Sequence, residues 1–354
     1  MKLPIEPRRA VMKMRPYHPP LEGRGGKVRL DFNENTLGCA PAVRRALRKL
    51  TANQVAIYPE YQAVRHKLAR YFGVRPAELL LTTGTDDALR LIVDTFIEPG
   101  RRVLLAEPTF AMYRFYAERA GARILTLRHG PKMQFPLAEV LAKMRARVSR
   151  PDLFFLANPN NPTGTLVPLE DLGRMLDAAR KTLVVIDEAY FDYCGVTALP
   201  WIRRYTNLIV TRTFSKAAGM AGLRIGCVFA RAKIAAELQK AHSPYPVSVA
   251  ALVAAEAMTH DRAFLRLSVR EALRSRREME NAFVRLGIPF FASAANFVLA
   301  DFGARGPEIL AKLRRENILV RDRRADFDRA GYIRITTGAR SETGKLLRAI
   351  ERIW

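Results

Sequence analysis

The chain has 354 residues, 49% of them hydrophobic and 26% charged, with a formal net charge of +25. That length fits one large and one smaller domain with a sizeable core, the balance is that of an ordinary soluble globular protein, and extensive disorder is excluded. So large a positive excess admits a polyanion-binding surface, but the basic residues are scattered, as at Arg44, Arg45, Arg48 and Lys49, with no tail or dense block; a solvated basic surface is therefore expected and no nucleic-acid partner.

Residues 1–30 are punctuated by Pro and Gly and read as an extended arm. The first twenty mix Arg, Lys and Pro and lack the apolar stretch of a secretory signal. From Asp31 onward strands and helices alternate. Helices are expected over 41–50 and 61–72, a strand at Leu79–Thr82, a helix over Asp86–Phe96, a strand at Val103–Ala106 and a helix over Tyr113–Ala120. Short apolar runs at Leu153–Ala157, Leu183–Asp187 and Leu208–Arg212 complete the pattern. Such alternation predicts an α/β fold over 31–245, a largely parallel sheet covered by helices. Beyond Pro244 and Pro246 the texture changes. A long helical region, Val247–Leu286, precedes Phe297–Ala300, a helix at 307–316, Ile318–Val320 and Tyr332–Thr336. That predicts a smaller α+β domain over 246–354. No apolar run reaches membrane-spanning length, and no membrane partner is expected. Cys39, Cys194 and Cys227 are odd in number and far apart, without metal or disulfide spacing, so the cytoplasm is the expected compartment.

In a sheet of this kind ligands bind beyond the carboxyl ends of the strands, so the residues just past each strand carry the chemistry. Gly84-Thr85-Asp86 opens a helix whose N–H groups would meet a phosphate, although a plain N-cap explains the same residues. Asn158-Pro159-Asn160-Asn161-Pro162-Thr163-Gly164 is a turn that could also offer amide hydrogen bonds to a ligand oxygen. Four apolar residues run into Asp187, so its carboxylate should be buried and needs a positive partner, either an arginine or a protonated ring nitrogen. Thr213, Ser215 and Arg224 surround Lys216 with phosphate-binding groups, and a lysine among cations has a lowered pKa suited to imine formation.

Together these strings resemble the fold-type I pyridoxal-phosphate aminotransferases, in the family's order and over nearly the whole chain. The resemblance implies a large α/β/α domain and a smaller α+β domain, with pyridoxal 5'-phosphate as cofactor. It makes Lys216 the Schiff-base lysine and proton shuttle, and Asp187 the partner of the pyridine nitrogen. Asn161 and Tyr190 would hold the ring's phenolic oxygen. Gly84, Thr85, Asp86, Thr213, Ser215 and Arg224 would hold the phosphate.

Within that family the chain is most similar to the histidinol-phosphate aminotransferases. Pro108-Thr109-Phe110 looks like the segment whose aromatic stacks on the pyridine; Phe110 stands where that subgroup usually has Tyr. Asn33-Glu34-Asn35 resembles its N-terminal substrate string, with Thr36 where Pro is usual. Tyr17 resembles its substrate-facing tyrosine. Tyr58-Pro59-Glu60 resembles the loop whose tyrosine touches the cofactor phosphate of a neighbouring subunit, which implies a homodimer. Arg321 and Arg334 match the two arginines that bind the substrate phosphate. The implied reaction is amino transfer from L-histidinol phosphate to 2-oxoglutarate. An aromatic or broad-specificity aminotransferase, or a threonine-phosphate decarboxylase, would share every cofactor residue.

Overall fold

The computed structural model describes residues 5–16 and 19–354; Tyr17 lies outside them. In chain order the strands among the described residues are β1 (Val28–Leu30), β2 (Leu79–Thr82), β3 (Arg102–Glu107), β4 (Arg123–Arg128), β5 (Leu153–Ala157), β6 (Leu183–Asp187), β7 (Leu208–Thr213), β8 (Gly226–Ala230), β9 (Phe290–Phe291), β10 (Phe297–Asp301), β11 (Ile318–Asp322) and β12 (Tyr332–Thr336).

Seven of them form one sheet in the order β2-β8-β7-β6-β5-β3-β4. β3 to β7 pair in parallel, and β8 runs antiparallel to both β2 and β7. β5 and β6 read Leu-Phe-Phe-Leu-Ala and Leu-Val-Val-Ile-Asp, nearly continuous apolar runs, because both sheet faces are covered by helices. Phe154 joins one core with Leu104 and Val184, while Phe155 joins the opposite core with Leu105 and Val185. Each such aromatic, fully withdrawn from water, stabilises the fold by roughly 1.5–3 kcal/mol.

The second sheet has the order β1-β11-β12-β10-β9. The expected extended arm therefore ends in an edge strand, β1, parallel to β11. A third core lies beneath, where Leu30, Phe283, Val298, Ile333, Ile335 and Ile350 meet.

The expected single helical region Val247–Leu286 is two helices, Val249–Thr259 and Arg262–Leu286. The Ser248 hydroxyl accepts from Ala251 N and starts the first; the Asp261 carboxylate accepts from Phe264 N at 3.2 Å and starts the second. A capping side chain inside an apolar-periodic stretch breaks the helix despite the periodicity. We propose an N-terminal arm (1–30), a large domain (31–245) and a small domain (246–354), with Val249–Thr259 packing back onto the large-domain helices Pro41–Arg48 and Gln62–Phe72. β4, β8 and the closing helix Arg340–Ile353 are further elements beyond those expected from the sequence.

Candidate active site

β5, β6 and β7 are adjacent and parallel, so their carboxyl ends open on one rim. A cavity of about 650 Å³ lies there. Thr85, Asp86, Phe110, Asn161, Asp187, Tyr190, Thr213, Ser215, Lys216 and Arg224 line it, and Asn33, Arg321 and Arg334 close it from the side of the second sheet.

Asp187 ends β6 with its carboxylate buried. Oδ2 accepts from the Tyr113 hydroxyl at 2.8 Å; Oδ1 accepts from the Thr211 hydroxyl at 3.0 Å and from Ala189 N at 3.2 Å. Burial raises the carboxyl to about 6, against the pull of those three donors. Lys216 follows β7 and donates from Nζ to the Phe32 carbonyl at 3.0 Å, 5.9 Å from the Tyr190 ring centre. Burial, then the Arg334 guanidinium, lowers its amine to about 8. A buried acid kept anionic by hydrogen bonds and a lysine brought toward neutrality thus face one space.

One end of the cavity lies at the start of a helix. Gly84 begins the helix Gly84–Phe96 at φ +72, and a Cβ there would stand 2.3 Å from Arg224 Nη2. The positive φ favours glycine, and a Cβ would push the Arg224 guanidinium aside. Arg224 Nη1 donates to Ser215 Oγ at 3.3 Å and Nη2 to Asp86 Oδ2 at 3.3 Å, while the Thr213 hydroxyl donates to Ser215 Oγ at 2.9 Å. The enclosed Thr85 hydroxyl has no partner among the described residues. A phosphate dianion at this helix start would meet free N–H groups, three hydroxyls and one guanidinium.

The opposite end is cationic. Arg321 and Arg334 are register partners across β11 and β12. Like charges facing each other across a ladder are unfavourable without an anion between them. Arg334 is buried, donates to Asn161 Oδ1 and to the Asp31 carbonyl, each at 2.5 Å, and has an enclosed Nε without an acceptor among the described residues. Asn33 donates from Nδ2 to the Tyr190 hydroxyl at 2.8 Å and accepts from the Thr336 hydroxyl at 3.0 Å, which leaves the Tyr190 O–H to donate into the cavity.

Phe110 lines the cavity and meets Tyr113 edge-on at 5.5 Å. Tyr58 does not line it: 73% exposed, it stacks on Tyr245 at 4.2 Å on the surface. Sequence reasoning missed three residues. Tyr113 stands one helical turn after Phe110, a spacing that puts both on one side of the helix. Arg24, in the arm, pairs with Asp31 and Glu34, each at 2.7 Å, and lines the cavity mouth. Arg323 lies two residues beyond Arg321, just past the end of β11, and lines the same cavity. A second cavity, also about 650 Å³, shares Thr213 with the first but none of the other residues named above.

With this geometry the chain matches the aminotransferase class I and II family over residues 26–353. It belongs to that family. Among curated relatives it is 36% identical to a histidinol-phosphate aminotransferase of Symbiobacterium thermophilum, over 97% of each chain. A relative of the same name from Geobacillus sp. is 33% identical over 92% of this chain and 90% of its own. Among solved structures, histidinol-phosphate aminotransferase from Sinorhizobium meliloti in complex with pyridoxal-5'-phosphate superposes with a TM-score of 0.88 at 28% identity, over 98% of this chain and 96% of that one. L-threonine-O-3-phosphate decarboxylase from Porphyromonas gingivalis gives 0.80 at 25% identity, over 92% and 98%.

Proposed function

We propose that this chain is a pyridoxal-phosphate-dependent histidinol-phosphate aminotransferase, moving the amino group of L-histidinol phosphate to 2-oxoglutarate. The observation that carries the reading is the pair of anion sites at opposite ends of one cavity, with Asp187 and Lys216 between them. The residues fit the cofactor. The orphaned Thr85 hydroxyl, the Gly84 helix start and Arg224 match its phosphate, and the buried Asp187 carboxylate matches a protonated pyridine nitrogen.

When bound, the cofactor withdraws electrons from the donor's Cα and carries the amino group between the two substrates. This chain's residues supply the rest. Asp187 keeps the ring nitrogen protonated. Phe110 covers a ring face and excludes water from it. Tyr190, its hydroxyl oriented by Asn33, and Asn161 hold the phenolic oxygen. Lys216, lowered to about 8 in the cavity, takes the proton from Cα and returns one on the far side of the transfer. Arg321 and Arg334 receive the substrate's phosphate. Tyr58 serves the second subunit of a homodimer, and the enzyme works in the cytoplasm.

An amino-donor panel with 2-oxoglutarate tests this. Histidinol phosphate should give a kcat/KM well above phenylalanine, tyrosine or threonine phosphate. Preference for an aromatic amino acid, or release of CO2 from threonine phosphate, would replace the substrate assignment.

A further inference from the structure

The second cavity takes no part in the chemistry above. It adjoins the catalytic one, with Thr213 in the wall of both, and its volume of about 650 Å³ is of the size that holds small ligands. Much of its wall is apolar: Phe72, Leu199, Ile202, Phe214 and Met258 line it, and all but Phe72 are buried. Its charged side chains are Glu188, Asp192, Arg203, Arg212, Arg262 and Arg266. Arg212 donates to Glu188 at 2.8 and 2.9 Å and covers the Phe191 ring at 3.6 Å. Arg203 donates to Glu78 at 2.8 Å, and Arg262 covers the Tyr71 ring at 5.1 Å. Asp192 and Arg266 remain. The Asp192 carboxylate accepts no hydrogen bond and forms no ion pair among the described residues, and Arg266 has no partner among them either. Burial pushes the Asp192 carboxyl up to about 6, against the pull of Arg212 and with Glu188 adding to the rise. A carboxylate so enclosed without a donor is costly to keep. Asp192 and Arg266 also line an adjoining hollow of about 410 Å³ along the helix Arg262–Leu286, so both stand where the two spaces meet.

We infer that the second cavity is a binding site for a neutral α-amino acid with an apolar side chain, its ammonium on Asp192, its carboxylate on Arg266 and its side chain among the apolar walls. One uncommitted acid and one uncommitted guanidinium on a shared wall match opposite charges a few bonds apart, which is the head group of a zwitterion. A simple amine would leave Arg266 without an anion, and a simple carboxylate would leave Asp192 without a donor. The apolar walls accept an aliphatic or aromatic side chain and penalise a charged one. The site does not depend on the substrate assignment. It stands close to the chemistry, since Asp192 lies two residues past Tyr190 and Phe214 two before Lys216.

Borohydride-reduced holoenzyme tests this, because its cofactor can no longer take up an amino group. Calorimetric titration with L-phenylalanine should show binding at one site per chain. Asp192→Asn keeps the shape and removes the charge, so it should weaken that binding roughly tenfold or more, the scale of one charged hydrogen bond. Arg266 is exposed, so Arg266→Gln should weaken it by only about two- to fivefold. 2-Phenylethylamine lacks the carboxylate; it should bind more weakly than L-phenylalanine by that same factor and be indifferent to Arg266→Gln. Both variants should melt within a few degrees of the wild type, so that lost binding is not lost folding. L-Phenylalanine binding that Asp192→Asn leaves unchanged would place the ligand in the catalytic cavity and overturn the inference. No binding at all, or 2-phenylethylamine binding as tightly as the amino acid, would overturn it too.

Discussion

Tyr113→Phe separates hydrogen bonding from packing at the acid that faces the ring nitrogen. Tyr113 is fully buried and stacks on Phe155 at 5.0 Å, and phenylalanine keeps that contact. Only the 2.8 Å bond to Asp187 Oδ2 is lost. A hydrogen bond to a charged group contributes about 1.5–3 kcal/mol. At about 1.4 kcal/mol per pKa unit, its loss moves the Asp187 carboxyl up by about one to two units. Burial already holds that carboxyl at about 6 in the free protein, so the variant's Asp187 would be largely protonated at neutral pH. A neutral Asp187 cannot pair with a pyridinium. Cofactor affinity should therefore fall off on the acid side, below about 6 in the wild type and from about one unit higher or more in the variant. Equilibrium titration of cofactor-free protein between pH 5 and 8 reads this directly, and turnover near neutrality should drop by about tenfold or more. If the acid limb stays where it was, Tyr113 is packing alone and the tuning argument fails.

Three further outcomes follow from the same site. The rate at which cofactor-free protein captures pyridoxal 5'-phosphate should rise with pH to a plateau with a midpoint near the lowered lysine value of about 8, because only the neutral amine attacks the aldehyde; stopped-flow absorbance showing a midpoint near an ordinary lysine value contradicts it. Gly84→Ala should cost about 1–2 kcal/mol of stability, since its φ of +72 disfavours any Cβ, and should weaken cofactor binding further by displacing the Arg224 guanidinium; thermal melts and a cofactor titration check both. Tyr58, solvent-facing here, should become buried in a homodimer, so light scattering should find a dimer in the active protein, and full activity from a monomer would refute that assembly.

Much of the site was legible because it lies at strand ends. Asp187 closes an apolar run and Lys216 follows another, and both face the cavity. The Gly84 turn is ambiguous in sequence between cap and phosphate cradle; its φ of +72 and the Arg224 guanidinium beside it are tertiary features that local pattern does not reveal. What stayed hidden depends on register and distant pairing. Arg323 is one basic residue in a basic stretch, and its place on the cavity wall is a tertiary feature. Arg24 lies in an arm without periodicity, and its pairing with Asp31 and Glu34 is a tertiary contact that local pattern cannot reveal. The break between the two helices at 260–261 depends on one capping carboxylate, Asp261, which the apolar periodicity on either side obscures.

The central claim is that Lys216 carries the cofactor. Borohydride reduction of the yellow, cofactor-loaded protein should fix the cofactor irreversibly to its lysine, and peptide mass spectrometry then locates it. The account predicts a single modified peptide, bearing the phosphopyridoxyl mass on Lys216, and its loss together with the colour in Lys216→Ala. Modification of another lysine, or a Lys216→Ala protein that still turns over at the wild-type rate, would contradict it.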